Sequence, residues 1–344
     1  MVKNDLGLSD SSLLFATAFY HATGKSPNAW TISEKSKLDM YYRCMVVCYA
    51  SLRRLYEEAQ LVLFTNQELP EPFNSQLSLL GVKTVFCSSR FVDDSVFING
   101  FPGCLFTLDV IEHLAKVQLT DFDCLILLDN DCIVRHRLDG MLNDVTNHQA
   151  IYAYEPGYPV NMVANGQSRA SLTLALSYMQ GQIISIPIQL YGGEFYAIPT
   201  KLLPDIAQHI QTFWDWMKAE GKTVFGDNLT EEHVMSVALA MNNHAVSGAE
   251  SYVKRIWTTD HFSTVDGGES KISVWHLPSE KKKGFARLYR YWVEHNGFDG
   301  LDSEGFTSLV DKMVPLHIAA NKSLVSLVLQ RARSAVKYLL TGRL

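Results

Sequence analysis

Three polar residues, Asp129-Asn130-Asp131, follow directly on the apolar run Cys124-Leu125-Ile126-Leu127-Leu128. Two carboxylates at i and i+2 can share one hard divalent cation, directly or through water, and leave coordination positions for phosphate oxygens. The apolar run reads as a strand buried on both faces. The acidic triplet then falls at the strand's carboxyl end, where open α/β sheets bind ligands. A solvated acidic turn has the same composition, so the other chemistry-bearing segments must decide between the two.

Three such segments lie in the second half, beyond the loop-forming Glu155–Pro159 and Asn165–Ser168. Gln189–Ile198 reads as a strand interrupted by Gly192-Gly193 just before Glu194. Paired glycines inside a strand mark a bulge, a turn or a close backbone approach to a ligand. Gly226–His233 opens a helix that runs to Met241, with Thr230 as its N-cap and Glu231 and Glu232 in its first turn. Those carboxylates serve either the helix N-terminus or chemistry on an acceptor. Ile272–His276 reads as a strand ending in a histidine, followed closely by Lys281, Lys282 and Lys283. An imidazole can complete a metal's shell, and lysines can neutralise a leaving diphosphate.

The elements that must position these groups alternate. Leu13–Phe19 reads as a strand, Glu34–Tyr56 as a helix capped by Ser33, and Gln60–Thr65 as a second strand. After the turn Pro70-Glu71-Pro72 come a short helix, a third strand over Lys83–Cys87 and a helix over Leu105–Val117. The order predicts an α/β fold with a mostly parallel sheet, helices on both faces and a Rossmann-type nucleotide-binding first half. No G-x-G-x-x-G and no P-loop is present, so a metal on Asp129 and Asp131 is the natural substitute for a phosphate-cradling glycine loop. Tyr20, just past the first strand, is the candidate to pack on a base. Arg90, past the third, is the candidate to reach a donor phosphate or sugar.

Composition narrows the class. A chain of 344 residues, 47% hydrophobic, supports a large core. No uncharged apolar stretch reaches the roughly 18 residues of a spanning helix, and Met1–Asp5 lacks a signal-peptide pattern, which predicts a cytoplasmic protein. The six cysteines form no C-x-x-C pair and read as buried free thiols. A net charge of −6 argues against nucleic acid as a partner. The end is different: beyond Met313 there is no acid, while Lys322, Arg331, Arg333, Lys337 and Arg343 add charge to an amphipathic pattern over His317–Leu340. That segment predicts packing on the domain, a homodimer contact, or peripheral attachment to an anionic membrane leaflet, with the aromatic Leu288–Trp292 on the same surface.

Together these segments resemble metal-dependent glycosyltransferases of the GT-A fold, chiefly family eight and the related family six. Leu127–Val134, followed by Leu138-Asp139, is similar to the family-eight strand that delivers D-x-D. His276-Leu277-Pro278-Ser279-Glu280-Lys281-Lys282 resembles the late H-x-x-G-x-x-K motif, with Ser279 at the glycine position and Lys283-Gly284 in place of Pro-Trp. The resemblance implies Asp129, Asp131 and His276 as ligands of a divalent metal (Mn²⁺ or Mg²⁺). It implies Lys282, with Lys281 and Asp129, at the diphosphate of a nucleotide sugar, a UDP-sugar being expected.

Tyr191–Phe195 and Glu231-Glu232-His233 are similar to the segments lining the family-six sugar site. This implies Gly192, Gly193 and Glu194 at the sugar or acceptor, and Glu194, Glu231 and Glu232 as catalytic candidates. A catalytic domain is expected over 1–285, divided into a nucleotide-binding half (1–132) and an acceptor half (133–285), with a helical extension over 286–344. The implied reaction is sugar transfer to a saccharide or glycolipid acceptor of a lipid-linked or cell-surface polysaccharide, with retention favoured. Three alternatives stay open. One is inversion with Glu231 or Glu232 as base; another is nucleotidyl transfer, for which His21–Lys25 is a poor phosphate loop; the third is a non-catalytic glycan-binding or scaffold protein.

Overall fold

The computed structural model describes residues 9–22, 34–94, 101–117, 119–221, 229–242, 244–259 and 262–316. Met1–Asp5, the Thr23–Lys25 part of the loop, the Ser33 cap, Gly226–Asn228 and the basic segment from His317 onward lie outside them.

Ten strands form among the described residues: β1 (Leu13–Phe19), β2 (Gln60–Thr65), β3 (Val82–Phe86), β4 (Cys124–Leu128), β5 (Cys132–Val134), β6 (Ile151–Ala153), β7 (Phe195–Pro199), β8 (Val246–Gly248), β9 (Val253–Arg255) and β10 (Val274–His276). Seven make one sheet in the order β3-β2-β1-β4-β7-β6-β8, and three make a second in the order β5-β10-β9. In the large sheet β3, β2, β1 and β4 are parallel, and β7 runs antiparallel to both β4 and β6.

Successive strand residues point to opposite faces, and the sequence supplies apolar side chains to both. Phe15, Leu61, Leu63, Ile126 and Ala197 enter one core, with the helices Glu34–Leu55, Asp139–His148, Gly284–Glu294 and Ser303–Met313. Leu14, Val62, Phe64, Leu125, Leu127 and Tyr196 enter the other, with the helices Phe106–Lys116, Arg169–Gln180, Leu203–Trp216 and Glu231–Met241. The continuous hydrophobicity of Cys124–Leu128 thus has a physical cause: every residue of β4 is buried, alternately in one core and the other.

The chain runs outward from β1 to β2 to β3, then returns to place β4 on the other side of β1. That reversal opens a crevice beyond the carboxyl ends of β1 and β4. No helix among the described residues is long and apolar enough to cross a membrane.

Two local expectations need correction. Gln189–Glu194 is not strand; β7 begins only at Phe195, and Gly193-Glu194 forms a turn ahead of it. Leu288–Trp292 does not offer an aromatic membrane face, because Leu288 and Trp292 are buried and Tyr289 donates to Gln76 Oε1 at 2.9 Å.

Candidate active site

The crevice continues into a cavity of about 670 Å³, within the range of small-molecule and cofactor sites. Its walls come from both sheets. Asp129 follows β4, and its N–H donates to the Glu194 carbonyl at 3.1 Å, so the start of β7 is tied to the acidic turn. Asn130 Nδ2 donates to the Ala18 carbonyl at 2.7 Å and fixes the same turn to the end of β1. Strand β5 begins one residue after Asp131 and pairs antiparallel with β10 in a register that sets Cys132 opposite His276. Strand β9 runs parallel to β10 and sets Arg255 beside His276. The small sheet therefore carries a histidine and an arginine to the carboxylates delivered by the large one.

Asp129, Asp131 and His276 converge, with one ligand atom from each within 4.8 Å of the others. His276 Nε2 lies 3.4 Å from both Asp129 Oδ2 and Asp131 Oδ1, while Nδ1 lies 3.4 Å from Glu194 Oε1. Burial opposes a charge on His276, yet Asp131 and Glu194 overcome it and raise its pKa to about 9. Nε2 between two carboxylates thus holds a proton or turns its lone pair onto a cation. Glu194 behind Nδ1 is the outer carboxylate that commonly orients a metal-bound histidine. The donor set fits a divalent cation.

Glu194 is held in turn by Arg255, whose Nε and Nη2 donate to its two oxygens at 2.6 and 2.5 Å. Burial works against its charge, but Arg255 and then His276 hold the carboxyl down at about 2. Arg255 also donates to Tyr158 Oη at 3.3 Å and lies 4.0 Å from Glu232 Oε2. The glycine pair follows from this crowding. A Cβ on Gly192 would meet Glu194 Oε2 and Arg255 Nη2, and one on Gly193 would meet Glu231 Oε1.

Glu231 lines the cavity, and its Oε2 is buried with no hydrogen-bond partner among the described residues. Burial, followed by the neighbouring Glu232, raises its carboxyl to about 8. Glu232 also lines the cavity but is engaged, accepting a hydrogen bond from Asn165 Nδ2. Their helix is set by a capping box in which the Thr230 N–H donates to His233 Nδ1 at 3.0 Å. His233 Nε2 lies 3.0 Å from the Ala164 carbonyl, and burial lowers its pKa to about 4, so the ring stays neutral.

The raised Glu231 gives a testable pH dependence. The native state keeps a proton that the unfolded chain releases above its ordinary value of 4.5, so stability falls as pH rises from there through about 8. Glu231→Gln, which cannot ionise, is expected to flatten that fall of at most a few kcal/mol. Urea midpoints of both proteins between about pH 5 and about pH 8 check it, and equal declines would contradict it.

Other candidates are redistributed. Tyr20 and Lys281 line the cavity; Arg90 and Lys282 do not. Arg90 pairs with Glu112 at 3.1 Å and donates to Gln211 Oε1 at 2.7 Å, so its guanidinium is occupied elsewhere. Lys282 is exposed. The turn after His276, in which the Glu280 N–H donates to the Leu277 carbonyl at 3.1 Å, aims Lys281 inward instead, and its Nζ donates to Asp131 Oδ2. Burial opposes ionisation of Asp131, but Lys281 and His276 hold its carboxyl far below the ordinary range.

Sequence reasoning missed Arg255, along with Asn165, Lys37, Tyr41 and Trp257 in the cavity wall. Val253-Lys254-Arg255-Ile256 shows no alternation, so nothing in the local pattern signals a strand there. All six cysteines are free, and Cys104 alone is not fully buried, standing at the cavity beside Glu231.

Two solved structures share this arrangement of strands and helices. An active-site mutant of LgtC matches with a TM-score of 0.51 at 10% identity, over 82% of this chain and 95% of that one. The bifunctional glycosyltransferase WbbM matches with a TM-score of 0.52 at 9% identity, over 85% of this chain and 51% of that one. No family model and no curated protein sequence matches the chain. The chain has the GT-A fold.

Proposed function

We propose that this protein is a glycosyltransferase that moves a sugar from a nucleotide-diphosphate donor, in the first instance a UDP-sugar, to a saccharide acceptor of a lipid-linked or cell-surface glycan. One observation carries the reading: Asp129, Asp131 and His276 converge at the switch point of the sheet, in the same cavity as the Glu231 carboxyl.

A divalent cation, Mn²⁺ or Mg²⁺, held by Asp129, Asp131 and His276 would bind the diphosphate and stabilise the charge that develops on it. Lys281 adds a second positive charge beside Asp131, where the departing phosphate would lie. Glu194 Oε1, 3.4 Å from Nδ1 of His276, would orient the ring so that Nε2 faces the cation. Tyr20 and Tyr41 offer aromatic faces for the base.

In the retaining course the acceptor hydroxyl attacks from the face that the diphosphate leaves. The new carbon–oxygen bond forms as the old one breaks, and the hydroxyl proton passes to the departing phosphate oxygen. Inversion is the second reading, supported by Glu231 Oε2 in the cavity wall, buried with no hydrogen-bond partner among the described residues: burial raises this carboxyl to about 8, and the minor fraction ionised near neutral pH would take the acceptor proton as general base. The anomeric configuration of the product, read by proton NMR, separates the two.

The test of the reading is turnover. Incubation with a panel of nucleotide sugars, Mn²⁺ and saccharide acceptors should release nucleoside diphosphate from one donor; release from none would contradict it. Within the same reading, Lys281→Ala is expected to weaken nucleoside-diphosphate binding about ten-fold or more, as loss of a charge-assisted contact does. Lys282→Ala should leave it unchanged. The reverse pattern in a titration would return the diphosphate contact to Lys282.

A further inference from the structure

One long stretch of the chain is almost free of charge. From Pro156 to Gly193 the only charged residue is Arg169, in a chain that is 19% charged. Arg169 faces inward, donating to the Ile188 carbonyl at 2.9 Å and the Tyr158 carbonyl at 3.3 Å. The stretch also starts and ends at the cavity. Tyr158 Oη accepts from Arg255, Asn165 Nδ2 donates to Glu232, and Gly193 lies against Glu231.

Between those points the stretch turns outward. The helix Arg169–Gln180 is followed by a loop that runs back along it, with the Ile184 N–H on Ser177 Oγ at 3.1 Å and the Ile188 N–H on Thr173 Oγ1 at 3.0 Å. Leu174 and Tyr178, one turn apart, are exposed on the helix, and the loop presents Ile183 and Ile186, which are 94% and 79% exposed. Met162 and Val163 are exposed on the small hairpin that carries Asn165. These six make up more than half of the eleven large apolar side chains exposed among the described residues. Scattered apolar exposure is ordinary, so its concentration in one short stretch singles that stretch out as a candidate interaction surface.

We propose that this face, from Met162 to Ile186, docks on the apolar boundary of a lipid bilayer, so that the cavity opens at the membrane surface. The absence of charge selects the occupant. A protein partner is met by an apolar centre within a polar rim, in which arginine is common. A surface made for water carries mixed charges. An uncharged apolar face enters the bilayer boundary at no cost in charge desolvation. Docking stands on this surface alone; that it brings a lipid-linked acceptor to the cavity rests on the transferase reading above.

The test uses the full-length protein, sedimented with phosphatidylcholine vesicles and with the same vesicles containing phosphatidylglycerol. The expected result is binding to the neutral vesicles that falls by at least about ten-fold in Ile183→Glu/Ile186→Glu, as burying two charges in apolar surroundings requires. Both side chains lie at the surface, so the variant should fold, and unchanged circular dichroism and nucleoside-diphosphate binding would verify that. No binding of the parent protein to neutral vesicles, or equal binding by the variant, would overturn the proposal. Binding only with phosphatidylglycerol would move attachment to cations elsewhere on the chain. Self-association of the parent that the variant loses would assign the face to a second copy, which also overturns it. Loss of nucleoside-diphosphate binding by the parent would count against the transferase reading and leave docking to be judged on the vesicles.

Discussion

Arg255→Met is expected to destabilise the fold by about 3–5 kcal/mol, because it leaves the buried Glu194 carboxylate without its partner. Glu194 is 1% exposed and takes both of its close Arg255 contacts at 2.5–2.6 Å. The intact pair need not stabilise the fold much, since removing both charges from water is itself costly; the loss follows from removing one member only. Two measurements separate this account from simple loss of packing. Glu194→Gln added to Arg255→Met should recover part of the stability, a coupling that a double-mutant cycle reads directly.

The pH dependence gives the second. Glu194 is depressed to about 2 from an ordinary 4.5, so it contributes stability that is present above 4.5 and lost as pH falls toward 2. Without Arg255 that contribution is missing, and the gap between parent and variant should narrow as pH falls through this window. Urea unfolding followed by circular dichroism measures both; a single-variant loss under about 1 kcal/mol would show that the pair is solvated and the account wrong.

Asp131→Ala is expected to lower sugar transfer on the order of a thousand-fold and to remove metal-dependent nucleotide binding. A cation held there would stabilise developing charge by several kcal/mol, and each ten-fold in rate corresponds to about 1.4 kcal/mol. Of the three proposed metal ligands, Asp131 is the one for which substitution is most informative. It faces His276 on one oxygen and Lys281 on the other, so its loss disturbs both positive groups of the site at once. The change also leaves the buried His276 and the largely buried Lys281 without a carboxylate they share, so urea unfolding of the variant must accompany the kinetics. Kinetics at saturating Mn²⁺ with the preferred donor measure the effect, and a variant within about ten-fold of the parent would remove Asp131 from the metal site.

The parts of the fold that sequence made legible are those in which one element carries its own signal. Cys124–Leu128 is wholly apolar because both faces of β4 are buried, and the abrupt change at Asp129 marks its end at the crevice. The Leu13–Phe19, Gln60–Thr65 and Glu34–Leu55 elements were legible for similar reasons. The small sheet was not. Strands β5 and β9 have three residues each, too few to show a period, and exist because β10 pairs with both. Arg255, whose place depends wholly on that pairing, was therefore hidden.

The lysine after His276 shows a second limit. Motif spacing favours Lys282, but the turn at Leu277–Glu280 directs Lys281 into the cavity, and a shift of one residue in a turn reverses which side chain faces inward. The Gly192-Gly193 pair was legible as a turn or a site of close approach, but not for the groups that approach it. The atoms that approach it, from Glu194, Glu231 and Arg255, come from three separate segments.

The central claim, a nucleotide-sugar site built on Asp129, Asp131 and His276, is tested most directly by isothermal titration of the protein with a panel of nucleoside diphosphates, with and without Mn²⁺. The account predicts binding of one nucleoside diphosphate that requires the metal. Absence of binding by every member of the panel in the presence of Mn²⁺ would contradict it.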